Sequence, residues 1–174
     1  MIWAHQDKVK ELQKQLDSEN KDFQKSMDKR AADFKETMLE MEQDHKKKTD
    51  DLNKDLNDET MTHEEKVAKI QALIDQENSY GKNARQSKLD QYKQELADET
   101  ESYNKKVADI QAKLDEENQS YAESVQKKTE QNALETQDLV QQHQERVNDY
   151  QTQLNAEQTI LNNHQAEVND YFVS

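Results

Sequence analysis

Apolar residues recur at helical spacing along almost the whole chain, from Val9 to Phe172. Steps of three and four residues separate successive members, which is the spacing of one face of an α-helix. The stripe repeats after 40 residues, as Val67, Val107 and Val147 show. The chain is therefore predicted to be all-α, with one apolar stripe, here called the seam. The predicted helix-packing members of the seam are Leu56, Val67, Ile70, Ile74, Leu96, Val107, Ile110, Leu114, Val147 and Leu154.

The period of the repeat predicts how the helix winds. Forty residues cover eleven turns, as three blocks of 11 residues and one of 7. This gives about 3.64 residues per turn, close to the 3.6 of an ideal α-helix. Heptads alone wind a coiled coil to the left, and 11-residue repeats wind it to the right. The mixture therefore predicts a long, nearly straight coiled-coil rod, with residues 1–174 as a single extended helical unit.

An antiparallel helical hairpin is the alternative. The only glycine, Gly81, lies near the midpoint, at a seam position where the other copies of the repeat carry Met41, Tyr121 and Leu161. Glycine costs about 1 kcal/mol in a helix interior and is enriched just beyond helix ends. A turn within residues 78–83 would divide the chain into two helical arms. The unbroken phase of the seam on both sides of this segment favours the continuous helix instead.

Several seam positions are polar. Asn78 and Asn118 are one period apart, and a buried asparagine in a coiled coil fixes the register and the number of partners. We predict this register role for both asparagines. His45, His63 and His143 also fall in the seam. No two of the five histidines are three or four residues apart, the spacing with which one helix face binds zinc, so no zinc site is predicted.

Composition narrows the class of protein. Hydrophobic residues make up 31% of the chain, against about 45–50% in an ordinary globular domain. The chain has no proline to interrupt a helix and no cysteine to form a disulfide. No stretch approaches the roughly 20 apolar residues of a membrane span, and a net charge of −14 argues against a nucleic-acid partner. Without a glycine-rich phosphate loop or a nucleophile motif, we predict neither enzyme activity nor a cofactor.

Acidic residues recur beside the seam, and their carboxylates suit calcium, which takes six to eight oxygen ligands. There is no aspartate-rich loop with a central glycine, so a high-affinity site is not predicted. Low-affinity calcium binding between neighbouring helices is the expectation. Its candidate ligands are Asp98, Glu99, Glu101, Asp115, Glu116 and Glu117.

Repeats such as VADIQAKLDEEN, with acidic and Gln/Asn/Lys-rich faces and almost no proline or glycine, give the chain a family resemblance. It resembles the trichocyst matrix proteins of ciliates over its whole length. The resemblance implies self-assembly into a lattice, the lumen of a secretory granule, and packing that rearranges with calcium. It assigns no individual site residues. Cytoskeletal rods share the same traits, so the cytoskeleton is the alternative location.

The sequence thus predicts a structural protein that self-assembles. The expected product is a filamentous or paracrystalline matrix, and the expected partners are further copies of the chain or homologous coiled-coil chains. The alternative is a cytoskeletal or scaffold spacer, which would bind other proteins and hold them apart. The two differ in outcome, because a matrix former assembles without limit and a spacer stops at a dimer or tetramer.

Overall fold

The structure is a computed structural model that describes residues 2–173. Helix α1 spans Ile2–Ser79, a short 3-10 turn spans Gly81–Asn83, and helix α2 spans Gln86–Val173. The all-α class is confirmed. The prediction of one continuous helix is wrong, because a turn separates α1 from α2 and segments of the two helices pack antiparallel on each other. The alternative, a hairpin that turns near Gly81, is confirmed.

The break between the helices follows from the backbone of Gly81. Its φ of 59° lies in the left-handed region, which glycine enters without the steric penalty of a Cβ and which commonly ends a helix. Asn83 N–H then donates to the Tyr80 carbonyl at 3.1 Å, and Ala84 N–H donates to the Gly81 carbonyl at 3.0 Å. These bonds close the turn. Helix α1 continues through Ser79, so the turn begins later than the predicted start at residue 78.

Two compact units share the two helices. The first contains residues 2–38 and 126–173, and the second contains residues 39–125, including the turn. Within each unit, a segment of α1 packs against a segment of α2. Each unit is therefore a two-helix layer whose only core is the seam between its two segments.

Burial in these units is shallow. The buried apolar side chains retain 5–9% of their accessible surface, because two helices cannot enclose a side chain on all sides. All ten seam residues predicted from the sequence lie at buried or half-buried positions. The most buried apolar residues are Leu12 in the first unit and Ile74, Leu89, Ile110 and Leu114 in the second.

The outer faces stabilise each helix locally. Glutamine side chains donate to an aspartate or glutamate four residues later, as in Gln71 to Asp75 at 3.0 Å and Gln126 to Glu130 at 2.9 Å. Residues four apart are neighbours on a helix surface, so such pairs favour the helical state. The polar faces thus support helices whose seams bury little surface.

Truncation of Ile110 tests how much the shallow seam contributes. Ile110→Ala should lower the free energy of unfolding by about 2 kcal/mol, near the lower end for buried aliphatic residues, because solvent lies close to the cavity. Leu134→Ala is the control on the same helix, since Leu134 is 63% exposed; its change should stay within about 0.5 kcal/mol. Urea unfolding followed by circular dichroism measures both. Equal effects at the two positions would contradict the seam assignment.

Candidate functional site

The side chains that meet across the seam recur as a defined set, seen first in residues 39–125. His63 Nδ1 lies 3.3 Å from Glu99 Oε1, and Lys66 Nζ lies 3.7 Å from Glu99 Oε2. The His63 ring stacks on Tyr103, with centroids 3.9 Å apart and planes inclined by 8°. We call this set a seam module: a histidine, the cation three residues after it, the facing glutamate, and the aromatic residue four positions after that glutamate.

The module at His63 is nearly symmetric. Glu59, four residues before His63, pairs with Lys106, three residues after Tyr103, at 3.5 Å. Each glutamate therefore reaches the cation on the opposite helix. Glu59, His63 and Lys66 precede Glu99, Tyr103 and Lys106 by one 40-residue period. One copy of the repeat therefore packs antiparallel on the next copy along the chain.

A second module in the same unit is built on His45. Its Nδ1 lies 3.2 Å from Glu117 Oε1, and its ring stacks on Tyr121 at a centroid distance of 4.1 Å. Lys48 Nζ lies 4.0 Å from Glu117 Oε2. The step from His45 to His63 along α1 equals the step back from Glu117 to Glu99 along α2. One antiparallel register therefore satisfies both modules.

The unit of residues 2–38 and 126–173 contains a module with the helices exchanged. His143 on α2 lies 3.3 Å from Glu19 on α1, and its ring stacks on Phe23 at 3.8 Å. Arg146 takes the cation position, 3.3 Å from Glu19. Either helix can therefore supply the histidine.

A further module in this unit lacks the ring stack. His5 Nδ1 lies 2.6 Å from Glu157 Oε2, and Lys8 Nζ lies 2.7 Å from Glu157 Oε1. The position of the aromatic residue is occupied by Leu161. Lys8 and then His5 hold the pKa of the Glu157 carboxyl below its ordinary value of 4.5, because both stabilise the ionised form.

Beside the turn, Arg85 replaces the histidine. Its backbone N–H donates to Glu77 Oε1 at 2.8 Å, and its Nε lies 3.4 Å from the same oxygen. These bonds, the backbone one first, hold the pKa of the Glu77 carboxyl below 4.5. Arg85 precedes the first residue of α2, whose free N–H groups and dipole favour a negative charge. Glu77, only 4% exposed, thus ties the end of α1 to the start of α2.

Arg30 and Glu135 form a further cross-helix pair in the unit of residues 2–38 and 126–173. Gln131 and then Arg30 hold the pKa of the Glu135 carboxyl below 4.5 by hydrogen bonding. Phe34 and Asn132 line an open cleft of about 450 Å³ at this point. Arg30 Nε is buried there without a hydrogen-bond partner. The seam is thus less completely filled here than at the ring stacks.

The modules have a defined chemistry. An ionised carboxylate only accepts hydrogen bonds, so a histidine Nδ1 that bonds to it must carry the proton. The ring plane is then fixed by the stack on Tyr103, Tyr121 or Phe23. Because a hydrogen bond and a stack must be satisfied together, sliding one helix along the other breaks both. The modules therefore specify the register of the hairpin.

The asparagines do not occupy the positions predicted for them. Asn78 and Asn118 are both exposed, and the buried or half-buried residues beside them are Glu77 and Glu117. The helix turns by about 100° per residue. A residue one position after a seam residue therefore lies outside the seam, as both asparagines do. The polar residues that lie in the seam at these two points are glutamates, which face an arginine and a histidine.

The calcium candidates do not converge on one point. Within residues 2–173 no group of three or more acidic or histidine side chains is arranged to hold a metal ion. Two of the candidates, Glu99 and Glu117, already pair with the histidine and lysine of a module. Glu101 pairs with Lys105 at 3.2 Å. The remaining candidates, Asp98, Asp115 and Glu116, lie on exposed positions.

The apolar stripe of the sequence predicts that histidines lie in the seam, but it does not predict which glutamates pair with them. The pairing residues are far apart in the chain, by 36 positions for His63 and Glu99 and by 124 for His143 and Glu19. A local signal was present, however. A glutamate precedes a ring residue by four positions at Phe23, His63, Tyr103 and Tyr121.

Comparison of the chain with protein-family models, with curated proteins and with solved structures gives no match. Neither helix, over the residues described, is both long and apolar enough to cross a membrane. The site is therefore interpreted from its own residues and their contacts.

The lowered carboxyl pKa values predict acid sensitivity. Because Glu77, Glu135 and Glu157 have lower pKa values in the folded than in the unfolded chain, the unfolded chain binds protons first as the pH falls. Their contribution is complete above the unfolded value of 4.5 and is lost as the pH falls through the folded values. Urea midpoints measured between about pH 6 and 3 should therefore decline.

A control separates this effect from the relief of charge repulsion in an acidic chain. The double variant Glu77→Gln/Glu157→Gln should be less stable at neutral pH and should lose less stability on acidification. Glu64→Gln/Glu65→Gln changes two exposed carboxylates outside the modules and should keep the wild-type slope. Parallel slopes for all three proteins would contradict the assignment.

The ring stack predicts a measurable coupling. In a double-mutant cycle, His63→Ala and Tyr103→Ala should show an interaction energy of about 1 kcal/mol, as aromatic pairs do. The matched control pairs His63→Ala with Tyr121→Ala, which belongs to the other module of that unit. That pair should be additive. A coupling near zero for the first pair would show that the stack does not contribute to stability.

Proposed function

We propose that this protein is a structural, self-associating helical protein whose copies pack side by side into a filamentous or paracrystalline matrix, without catalytic activity. The observation that carries the proposal is incomplete burial: among residues 2–173 no side chain is less than 2% exposed. A two-helix layer leaves both edges of its seam open to water. A further helix laid along such an edge covers it.

Apolar side chains at the seam edges support this assembly. Leu73 is 40% exposed beside buried Ile74, and Val140 is 44% exposed beside half-buried Leu139. Burial of apolar surface is favourable by about 25 cal/mol per Å². Two hairpins that pair along these edges would form a four-helix arrangement, the common way in which amphipathic helices complete a core. A second copy of the chain is the partner proposed here, with homologous chains as further members of the matrix.

Charge opposes the same assembly, since each copy has a net charge of −14. Side-by-side packing brings like charges together, and bound cations relieve that repulsion. Within the proposal, calcium has this role at low affinity, with exposed Asp98, Asp115 and Glu116 among its ligands. One helix surface offers too few oxygens for a complete shell of six to eight, so two neighbouring copies would share an ion. A secretory-granule lumen would suit such a matrix.

The edge residues provide the test. Wild-type protein should form species whose sedimentation coefficient grows with concentration and whose order is visible by electron microscopy. Leu73→Ser/Val140→Ser should raise the concentration needed for this growth at least tenfold, because each serine removes apolar area that the assembly would bury. Leu134→Ser is the control, since Leu134 is 63% exposed and lies two residues from the nearest half-buried position on either side.

The outcomes separate the proposed roles. Growth that stops at a dimer or tetramer would overturn the matrix and favour a spacer that binds other proteins. A hairpin that stays monomeric at all concentrations would overturn self-association. Millimolar calcium should promote assembly more than magnesium at equal ionic strength, and equal effects would remove calcium from the proposal.

A further inference from the structure

In the module at His63, one copy of the 40-residue repeat packs against the next copy along the same chain. Glu99 faces Lys66 at 3.7 Å, and Glu59 faces Lys106 at 3.5 Å, on the two sides of one ring stack. The facing segments are successive copies of one 40-residue sequence pattern. Such a self-complementary surface serves equally well within one chain and between two chains.

All four histidine modules follow the same antiparallel register. The same contacts would therefore form whether the second arm belonged to the same chain or to another chain. The pairs are His5 with Glu157, Glu19 with His143, His45 with Glu117, and His63 with Glu99. Moving along α1 by any number of residues moves the partner back along α2 by the same number. An α2 supplied by a second copy would meet an identical set of partners.

The hairpin within one chain and the pairing of arms from two chains would differ only at the turn. Gly81 has a φ of 59°, and a Cβ built on it would have no atom within 4 Å. The equivalent positions in the other copies, Met41 and Tyr121, lie inside continuous helix. The seam also keeps its phase across the break, from Ile74 to Leu89. Residues 80–85 could therefore continue the helix without moving either arm's seam out of line.

We propose that the chain has a second folded state, an antiparallel dimer in which two copies exchange arms. In it, residues 80–85 become helical, and α1 of each copy packs on α2 of the other through the same seam modules. Exchange of an identical element is a low-cost route to a dimer, because the contacts made equal those given up. This state goes beyond the side-by-side assembly proposed above, since it reuses the interface inside the hairpin instead of adding a new one.

Gly81 sets the balance between the two states. Leucine at this position, as in the copy that carries Leu161, disfavours the positive φ of the turn and favours a continuous helix. Gly81→Leu should shift the equilibrium by about tenfold per chain, and hence on the order of a hundredfold in the dimer association constant, because each dimer has two such segments. Gly81→Asn is the matched control, because asparagine also adds a side chain but tolerates the left-handed region better than leucine and forms helix less readily than leucine.

Two spin labels measure the exchange directly. The chain has no cysteine, so Thr62→Cys/Ser102→Cys gives unique attachment points. Both positions are exposed, and they adjoin His63 and Tyr103, whose rings stack at 3.9 Å. In the hairpin the two labels are separated by little more than the 8–10 Å between packed helix axes. In a continuous helix the same 40-residue separation spans about 60 Å.

The measurement uses doubly labelled protein refolded with a tenfold excess of unlabelled protein. Arm exchange predicts that the short intrachain distance is replaced by one of about 60 Å, increasingly so with concentration in the wild-type background. The replacement should be nearly complete for Gly81→Leu, and for Gly81→Asn it should stay close to the wild-type extent. If the short distance persists in Gly81→Leu at every concentration, arm exchange is overturned. Growth in sedimentation with an unchanged short distance would leave the side-by-side assembly intact, so the two proposals fail separately.

Discussion

The hairpin depends on carboxylates held against histidine rings inside a half-buried seam. Glu99 and His63 are only 18% and 16% exposed, so neither group is fully hydrated. A polar group removed from water must find a partner, and each finds it only in one alignment of the helices. Apolar contacts alone would tolerate a shift by one repeat, because the stripe is periodic. The glutamate–histidine contacts therefore select one alignment of the two helices.

The neighbouring cations explain why this arrangement is tolerated in an acidic chain. Each glutamate that faces a histidine in a module also meets a lysine or arginine, as Glu157 meets Lys8 and Glu19 meets Arg146. The seam is therefore close to neutral while the outer faces carry the net charge. That division allows the two helices to approach although the chain as a whole repels itself. The remaining repulsion lies on the outer faces, which other copies of the chain or dissolved cations can contact.

Much of the fold could be predicted from the sequence, because helical spacing is a local property. The all-α class and the seam positions of Val67, Ile110 and Leu114 follow from the stripe alone. The choice between rod and hairpin could not be settled in that way, since the seam keeps its phase across the turn and a single glycine decides. The pairing of Glu117 with His45 was out of reach, because it joins residues 72 positions apart. This pairing can be deduced only when the antiparallel register of the two helices is known.

Stability in such a layer is local, because each module contacts only the segment facing it, as in repeat proteins whose stability is a sum over neighbours. The seam then need not be uniform. Where Phe34 and Asn132 line the seam, an open cleft and an unpartnered Arg30 Nε replace a ring stack, so opening should cost less there than at the ring stacks. Where His63 meets Tyr103, two glutamates and two lysines surround the stack. A chain built this way gains length by adding repeats, while its register is fixed by a few well-satisfied points.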